Sequence, residues 1–496
     1  MDWLLPGFSL VFNLGTFAAL FASVFLGIAI GALPGLTAVM GVAIISPFTY
    51  SLPPQVGILS LVGIYVGANY GGSICATLLN IPGTPAAVAT TFDAYPMAKR
   101  GEAGRAIGIA TVSSAVGGLI SAVTLIAFSP IIADFAMKFT SIELFSVAVL
   151  GLSILILITE KNVAKSLVSA ILGLLIATVG GDPMTSYPRF TFDRIEIYTG
   201  IHFIVVMIGI FGASEVFGQI TKKSVKAEVF TKLTRVFPGW GFLRQYARTI
   251  IQSSAIGIFV GAVPGTGATI AAIVSYGQAK RWSKHPELMG NGSPEGIVAA
   301  ETANNACCGG AITTMLSLGI PGDAVTAIII GQFMIHGLRP GPVLFTESPD
   351  LVSAIFIGFI LANLFMLAIG LSAARVFAKF LSFPKEIIQP LVLTLCVVGS
   401  FAIQNSLFDV KLMALFTLLG YAMRMLDIPR APLVLALILG PMAESNLRRS
   451  INIYGSGFDL LSAFWQRPLA MAILLLTIGM IVYPIIISLM KKRKAG

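Results

Sequence analysis

Four short breaks interrupt otherwise apolar stretches of this sequence, and each contains a Pro-Gly pair. They fall at residues 34–35, 80–84, 264–267 and 319–323. Proline removes a helix hydrogen bond and glycine relaxes the backbone, so a half-helix that begins at such a break presents free N–H groups and a partial positive charge. Such termini bind carboxylates. The predicted anion-binding positions, interpreted as the substrate site, are Pro34, Gly35, Asn80, Pro82, Gly83, Thr84, Pro264, Gly265, Thr266, Gly267, Pro321 and Gly322.

A second group of polar residues in the later part of the chain suits a cation. The adjacent amides of Asn304 and Asn305 are costly in an apolar setting unless they coordinate a ligand or join two helices by hydrogen bonds, and amide oxygens are good ligands for a hard cation. Asp323 is interpreted as an ion ligand, a proton carrier or an N-cap. Glu301 is a proton site, a partner of a basic residue or an interfacial carboxylate. The predicted ion-site residues are Asn304, Asn305, Asp323 and Glu301, with Na⁺ or H⁺ as the ion.

The elements that must position these residues are helices that cross a membrane. Of the 496 residues, 56% are hydrophobic and 11% are charged, and the mean hydropathy is +0.90, whereas soluble proteins carry about 25% charged residues. Apolar runs cover residues 17–30, 107–132, 144–158, 203–211, 355–371 and 469–490. Most suit the ~20-residue helices that span a bilayer rather than the ~10-residue strands of a membrane barrel. The predicted fold class is therefore all-α, integral membrane and polytopic, with re-entrant helices at the breaks.

The net charge of +10 comes from basic clusters beside the apolar runs, at residues 99–105, 222–248, 280–284 and 491–494. They lack the interleaved aromatic residues of a base-stacking surface, so no nucleic-acid partner is predicted. The positive-inside rule places each cluster in the cytoplasm, together with the C-terminus, and places the N-terminus on the other side. Three arginines do not fit the positive-inside rule, because counting the predicted spans along the chain places at least some of them outside. They are Arg448, Arg449 and Arg467. No cleaved signal segment is predicted.

The cysteine and histidine residues give no sign of a metal centre or a cofactor. The cysteines have apolar or small neighbours and form no C-x-x-C pair, which favours a packing role. They are Cys75, Cys307, Cys308 and Cys396, and the isolated histidines are His202, His285 and His336. Beyond Na⁺ or H⁺, no metal or cofactor is predicted. The polar loop at 280–295 is interpreted as a solvated connector.

The breaks occur as two matched pairs, which indicates an internal duplication. Residues 31–38 (GALPGLTA) match 261–268 (GAVPGTGA), and residues 71–84 match 309–323 if one residue is inserted. Because the basic cluster at 222–248 precedes the second copy, we expect the two copies to be inverted in the membrane. The predicted organisation is a first repeat (1–200), a linking helix and basic loop (201–248), a second repeat (249–445) and a C-terminal helix with a basic tail (446–496).

These blocks resemble the large membrane subunit of the tripartite tricarboxylate transporters, the TctA type. The similarity extends to residues 70–85 (YGGSICATLLNIPGTP), 182–183 (DP), 189–192 (RFTF), 292–296 (GSPEG), 301–306 (ETANNA), 318–322 (LGIPG) and 337–342 (GLRPGP). The blocks span most of the chain and are specific together. The resemblance implies a bacterial inner-membrane permease that imports citrate-like tricarboxylates or related carboxylates by symport with Na⁺ or H⁺. It also implies two partners, a small TctB-type membrane subunit and a periplasmic TctC-type solute-binding protein.

Two other functions are weighed against a carrier. A passive channel is the stronger alternative, since paired half-helices also build pores. An intramembrane protease is disfavoured because Asp323 has no second membrane carboxylate to share a proton and no G-x-G-D spacing. ATP hydrolysis is not expected, since no G-x-x-x-x-G-K-[ST] loop is present. The predicted mechanism is alternating access, with carboxylate and cation bound between the two pairs of breaks.

Overall fold

The computed structural model describes residues 4–158, 163–182, 184–220, 236–239, 241–381 and 385–495, which are almost entirely helical. The helices of the first part are α1 (Leu5–Val11), α2 (Leu14–Ala32), α3 (Ala38–Thr49), α4 (Pro54–Leu79), α5 (Val88–Met97), α6 (Ala103–Ala136), α7 (Ser141–Ile158) and α8 (Val163–Ala177). A short antiparallel ladder then pairs β1 (Gly180–Gly181) with β2 (Pro188–Arg189). It is followed by α9 (Ile195–Tyr198), α10 (Phe203–Met207) and α11 (Ser214–Ile220), the last two joined by a π-helical turn at Ile208–Ala213.

The second part begins beyond the basic segment at 222–248, most of which lies outside the described residues. Its helices are α12 (Gly241–Gln245), α13 (Ala247–Ala262), α14 (Gly267–Trp282), α15 (Pro294–Leu318), α16 (Ala324–Ile335), α17 (Leu344–Glu347), α18 (Pro349–Ser372) and α19 (Ala374–Phe380). The chain ends with α20 (Lys385–Gln404), α21 (Leu407–Met425), α22 (Ala431–Tyr454), α23 (Phe458–Gln466) and α24 (Pro468–Ala495).

Several helices are long and apolar enough to cross a bilayer. In the described part of the chain these are Leu14–Ala32, Pro54–Leu79, the stretch Pro85–Ala136, Pro349–Ser372 and Glu386–Gln404. A sixth span results if α23 and the start of α24, which meet at 107°, are counted together. Shorter apolar helices of 10–17 residues, such as α3, α13 and α16, lie next to the predicted breaks. The chain is therefore an all-α, multi-pass membrane protein, as the composition predicts.

The breaks form because the residues at them end one helix and begin the next. Long helices α4 and α15 both end on a left-handed residue, Asn80 with φ 56° and Gly319 with φ 71°. A left-handed residue is a common helix end because it lets the last carbonyl groups find hydrogen-bond donors. At the start of α3, the Thr37 side chain accepts a hydrogen bond of 3.2 Å from the Met40 amide.

The two copies pack their helices in the same way. A Cβ on Gly31 of α2 would lie 2.2 Å from the Ala68 carbonyl oxygen of α4. In the second copy, a Cβ on Gly261 of α13 would lie 2.2 Å from the Cys307 carbonyl oxygen of α15. Two further close approaches correspond, namely Gly27 to Ile64 with Gly257 to Ala303, and Gly71 to Ile28 with Gly310 to Ile258. These pairs align the copies without the inserted residue that the sequence match required, because Gly71 corresponds to Gly310 and not to Gly309.

Contacts between the copies are reciprocal. Ser46 on α3 donates to Gln332 Oε1 on α16 at 2.9 Å. At the corresponding positions, Tyr276 on α14 donates to Asp93 Oδ2 on α5 at 2.9 Å. In one contact the first copy supplies the donor, and in the other the second copy does, as expected for two units related by a two-fold axis. These contacts agree with the predicted duplication, while the bounds of the repeats and their inversion relative to the membrane stay predictions.

A network of four charged side chains includes Arg448, one of the three arginines that do not fit the positive-inside rule. Arg448 on α22 donates to Asp182 Oδ2 at 2.6 Å and pairs with Glu444 at 2.9 Å, and Arg189 of β2 pairs with Glu444 at 2.6 Å. Backbone N–H groups of Thr185 and Met184, together with Arg448, hold the pKa of Asp182 well below its usual range. The charge of Arg448 is thus neutralised by Asp182, in the loop at 181–200, and by Glu444 on its own helix.

We expect Asp182→Asn to lower the thermal midpoint at pH 7 by about 1–3 °C, in a pH-dependent manner. The pKa is depressed in the folded state, so the stabilisation is present above the unfolded value of about 3.9 and is lost as pH falls towards the folded value. The difference between variant and parent therefore narrows as pH falls below about 4. Thermal unfolding in detergent across pH tests this, with Asp134→Asn, at an exposed site on α6, as control. A difference that does not change with pH would contradict it.

Candidate functional site

A cavity of about 250 Å³ lies where the breaks of both copies meet. It is lined by the start of α3, by the segment at 84–86, by the start of α14 and by the start of α16. Four of the sequence-predicted residues contribute to its wall: Thr84, Gly265, Gly267 and Asp323. Its other lining residues are Thr37, Ala38, Val39, Tyr65, Asn69, Pro85, Ala86, Phe211, Glu215, Ala268, Thr269, Ala324, Val325, Arg430 and Ala431.

Helix N-termini from both copies point towards this cavity. Helices α3, α14 and α16 begin at its wall, as does the short 3-10 turn Pro85–Ala87 that leads into α5. Each contributes N–H groups that have no partner within their own helix, and together they give the wall a partial positive charge. The arrangement is suited to an anion of modest size, since its volume is at the low end for ligand pockets.

Arg430 adds a full positive charge that the sequence reasoning did not anticipate. Its guanidinium group donates to the Ile210 carbonyl at 3.1 Å, pairs with Glu215 at 3.2 Å and lies over the Phe211 ring at 5.4 Å. Arg424 pairs with the other oxygen of Glu215 at 3.1 Å. Two guanidinium groups thus share the Glu215 carboxylate, and of the two only Arg430 lines the cavity, where Asp323 is a second acidic residue. The signal in the sequence was an arginine directly before the apolar start of α22, since such a residue in a membrane protein suggests a site.

Asp323 is tied to the protein by several hydrogen bonds. Its side chain accepts from the Thr326 amide at 2.8 Å, and the Thr326 hydroxyl accepts from the Asp323 amide at 2.9 Å, which forms a capping box at the start of α16. Its other carboxylate oxygen accepts a hydrogen bond from the Tyr65 hydroxyl of the first copy. The N-cap interpretation thus describes its geometry, and Tyr65 is a site residue that no sequence pattern pointed to.

The paired asparagines lie behind the cavity wall, on the buried face of α15. The Asn304 amide nitrogen donates to the Asn69 carbonyl at 3.3 Å, and its amide oxygen has no hydrogen-bond partner among the described residues. In Asn305 neither amide atom has one within that part of the chain. Both side chains are fully buried. A helix-to-helix hydrogen bond therefore accounts for the amide nitrogen of Asn304. The amide oxygen of Asn304 and both amide atoms of Asn305 are left to bind a ligand.

Glu301 is fully buried on α15, away from the cavity. Its two carboxylate oxygens accept hydrogen bonds from Thr90 of α5 and, at 2.8 Å, from Ser114 of α6. Among the described residues no basic side chain pairs with it. The interfacial and ion-pair interpretations do not fit this position, whereas the proton-site interpretation stays a prediction.

The remaining predicted residues shape the breaks rather than line the cavity. Gly83 and Gly322 allow each break to pack closely against the preceding helix end of its own copy. A Cβ on Gly83 would lie 2.1 Å from the Gly31 carbonyl oxygen, and a Cβ on Gly322 would lie 2.5 Å from the Gly261 carbonyl oxygen. The Gly265 amide donates to the Gly322 carbonyl at 2.7 Å and so joins the two breaks of the second copy. The others that do not line the cavity are Pro34, Gly35, Asn80, Pro82, Pro264, Thr266 and Pro321.

Two further cavities have less of the required chemistry. One of about 460 Å³ lies beside Arg189, His202 and Glu444, where Arg189 already pairs with Glu444. The other, of about 350 Å³, is lined by aliphatic side chains between α2, α3 and α20. Size alone would favour the first, but of these three cavities the one at the breaks is lined by the starts of α3, α14 and α16, which come from both copies.

Comparison with known proteins supports the resemblance noted from the motifs. A model of the tripartite tricarboxylate transporter TctA family matches residues 17–435. A protein of Agrobacterium vitis, described as an uncharacterized 52.8 kDa protein in the TAR-I ttuC′ 3′ region, is 33% identical over 473 residues, which cover 95% of this chain and 94% of that protein. A shorter protein of the same organism, described as uncharacterized in the TAR-II ttuC′ 3′ region, is 32% identical over 237 residues, 48% of this chain and 97% of its own length. No solved structure matches. The chain is thus a multi-pass membrane protein with a transport role, and it belongs to the tripartite tricarboxylate transporter TctA family.

Proposed function

We propose that the cavity at the breaks binds the carboxylate that this protein imports. The observation that carries the proposal is the convergence of helix N-termini from both copies on one cavity whose wall includes Arg430. Oriented N–H groups and a guanidinium group are the donors that recognise carboxylates. Tricarboxylates such as citrate, and related carboxylates, are the substrate class.

The protein acts as the large permease subunit of a three-part system in a bacterial inner membrane. A TctC-type binding protein delivers the carboxylate from the periplasm, and a TctB-type subunit accompanies the permease in the bilayer. Membership of the TctA family supports partners of these kinds. Uptake is driven by a gradient of Na⁺ or H⁺, because coupling needs only that the cation strengthens binding of the carboxylate.

Transport proceeds by alternating access between the two copies. The reciprocal contacts of Ser46 with Gln332 and of Tyr276 with Asp93 join the two copies. Movement of one copy against the other changes the side from which a central cavity is reached, as in carriers built from repeats. The contacts support such a movement because they are related by a two-fold axis but differ in their residues. The two copies can therefore exchange roles, and each arrangement would open the cavity to one side of the membrane.

Uptake into proteoliposomes tests the function. The purified permease, its small membrane subunit and its cognate binding protein are supplied with radiolabelled citrate or another member of a carboxylate panel, with and without an imposed Na⁺ or pH gradient. We expect saturable uptake that requires the binding protein and one of the gradients. Currents or fluxes that do not saturate and ignore the gradient would support a channel, and uptake of neutral solutes at equal rates would overturn the carboxylate assignment.

A further inference from the structure

Two oxygen atoms, one in each copy, are buried without a hydrogen-bond partner among the described residues. They are Thr84 Oγ1 at the break of the first copy and Asn304 Oδ1 on α15 of the second copy. Thr84 is 2% exposed and Asn304 is 0% exposed. A buried polar atom without a partner is destabilising, so each of these two atoms calls for a ligand.

Both side chains reach the same turn of α4. The Asn304 amide nitrogen contacts the Asn69 carbonyl, while a Cβ on Gly72 would lie 2.4 Å from Thr84 Oγ1. Asn69 and Gly72 are one helical turn apart. The Asn69 side chain lines the cavity next to Thr84, and its amide nitrogen donates to Cys308 Sγ at 3.0 Å, which leaves its amide oxygen for a ligand.

The two-fold relation shows that this position has a filled counterpart. Tyr65 and Asn304 correspond, since each lies 17 residues before the proline of its break (82 − 65 and 321 − 304), and Thr84 and Asp323 correspond in the same way. On one side of the axis, Tyr65 reaches across and donates directly to Asp323. At the corresponding positions on the other side stand the shorter side chains Asn304 and Thr84. Thr84 Oγ1 and Asn304 Oδ1 form no hydrogen bond within the described residues, unlike the matching atoms of Tyr65 and Asp323.

The chemistry of the open side suits a monovalent cation. Its oxygens belong to a hydroxyl group and two amides, which are hard neutral ligands. The open side has no carboxylate of its own, since Thr84 stands where the other copy has Asp323, and a divalent ion bound by neutral ligands alone lacks charge compensation. Asp323 is committed to Tyr65 and to the cap of α16, so neither of its carboxyl oxygens is left to act as a ligand.

We propose that Thr84, Asn304 and Asn69 bind the coupling cation, a single Na⁺ ion, and that Tyr65 and Asp323 close the corresponding position in the other half. The inference rests on the proposed function and deepens it, because it separates the cation ligands from the carboxylate site. It moves Thr84 from the predicted substrate site to the ion site and takes Asp323 out of the ligand set.

Direct binding of Na⁺ to the purified protein tests the assignment. Calorimetric titration with NaCl, at ionic strength balanced with choline chloride, is expected to give one Na⁺ per chain. Thr84→Val and Asn304→Ala are expected to weaken Na⁺ binding at least tenfold, while Thr84→Ser keeps the hydroxyl and restores it. Ser129→Ala and Asn363→Ala are matched controls outside the cavity, because each also removes a buried oxygen with no hydrogen-bond partner in the described structure. The controls are expected to bind Na⁺ within twofold of the parent.

The outcomes separate this inference from the proposed function. Carboxylate uptake that persists in a protein without Na⁺ binding, or that follows only a pH gradient, overturns the Na⁺ site and leaves the transport function intact. Na⁺ binding that is lost in the Thr84 and Asn304 variants, in a protein that imports no carboxylate, supports the site and contradicts the proposed function. Equal Na⁺ affinity in variants and controls assigns the two oxygens to a bridging water and overturns the inference.

Discussion

Replacement of Arg430 by glutamine is expected to reduce carboxylate uptake at least about 100-fold at subsaturating substrate. The side chain lines the cavity and is held there by Glu215 and the Ile210 carbonyl, so its remaining donors are oriented before the substrate arrives. A charged hydrogen-bond partner in a partly buried site contributes about 3–5 kcal/mol when its loss leaves the other charge unpaired. Initial uptake rates at several substrate concentrations measure the effect. We expect Arg430→Lys to keep only part of the parent's uptake, because an ammonium group cannot form the bidentate contact that a guanidinium group makes with a carboxylate.

Arg424→Gln provides the matched control for this prediction. Arg424 pairs with the same carboxylate, Glu215, at 3.1 Å, but it does not line the cavity. We expect a loss of no more than about threefold, which would reflect the weaker hold on Glu215. If both variants lose uptake equally, Arg430 acts by positioning Glu215 and not by binding the carboxylate. If neither loses uptake, the cavity at the breaks is not the carboxylate site.

The sequence predicted the parts of the site that depend on local backbone chemistry. Pro-Gly breaks end helices whatever the rest of the fold does, so Thr84, Gly265, Gly267 and Asp323 could be placed near helix starts without a structure. Their convergence on one cavity also followed from the matched order of the breaks. The helix N-termini that point at the cavity are the result expected from those patterns.

Arg430 and Tyr65 were missed because their positions depend on packing between distant segments. Arg430 reaches the cavity only because α22 packs beside the π-helical turn at Ile208–Ala213, whose carbonyl at Ile210 it contacts. Tyr65 lies within a long apolar helix, so its sequence context suggests a packing residue. Only the structure shows that its hydroxyl donates a hydrogen bond to Asp323. Neither contact has a local sequence signature, since the partners are more than 200 residues away along the chain.

The loop at 280–295 shows the same limit in a different way. Its glycine and polar residues predicted a solvated connector, and that interpretation is wrong for its last part, where Gly292 and Ser293 are buried. The cause is Asp93 on α5, whose carboxylate accepts backbone hydrogen bonds from this segment. A loop of such composition is ordinarily exposed because its backbone needs water, and here a distant aspartate takes the place of that water.

Replacement of Asp93 by alanine is expected to lower the stability of the folded protein by about 3–5 kcal/mol. One oxygen of this buried carboxylate accepts from the amides of Gly290, Gly292 and Ser293 at 2.7–2.9 Å, and the other accepts from the Tyr276 hydroxyl at 2.9 Å. Alanine leaves three amides and a hydroxyl without their acceptor, and three of these four donors belong to the buried residues Gly292, Ser293 and Tyr276.

Thermal unfolding of the protein in detergent measures this effect, and the comparison of two further variants identifies its cause. Asp93→Asn keeps an oxygen that can accept from the three amides, so we expect a far smaller loss than with alanine. Tyr276→Phe removes a single hydrogen bond and is expected to cost about 1 kcal/mol. If Asp93→Asn is as damaging as Asp93→Ala, the negative charge holds the segment, as expected for charge-assisted bonds from several amides. If the thermal midpoint of Asp93→Ala equals that of the parent, the Asp93 carboxylate does not hold this loop against α5.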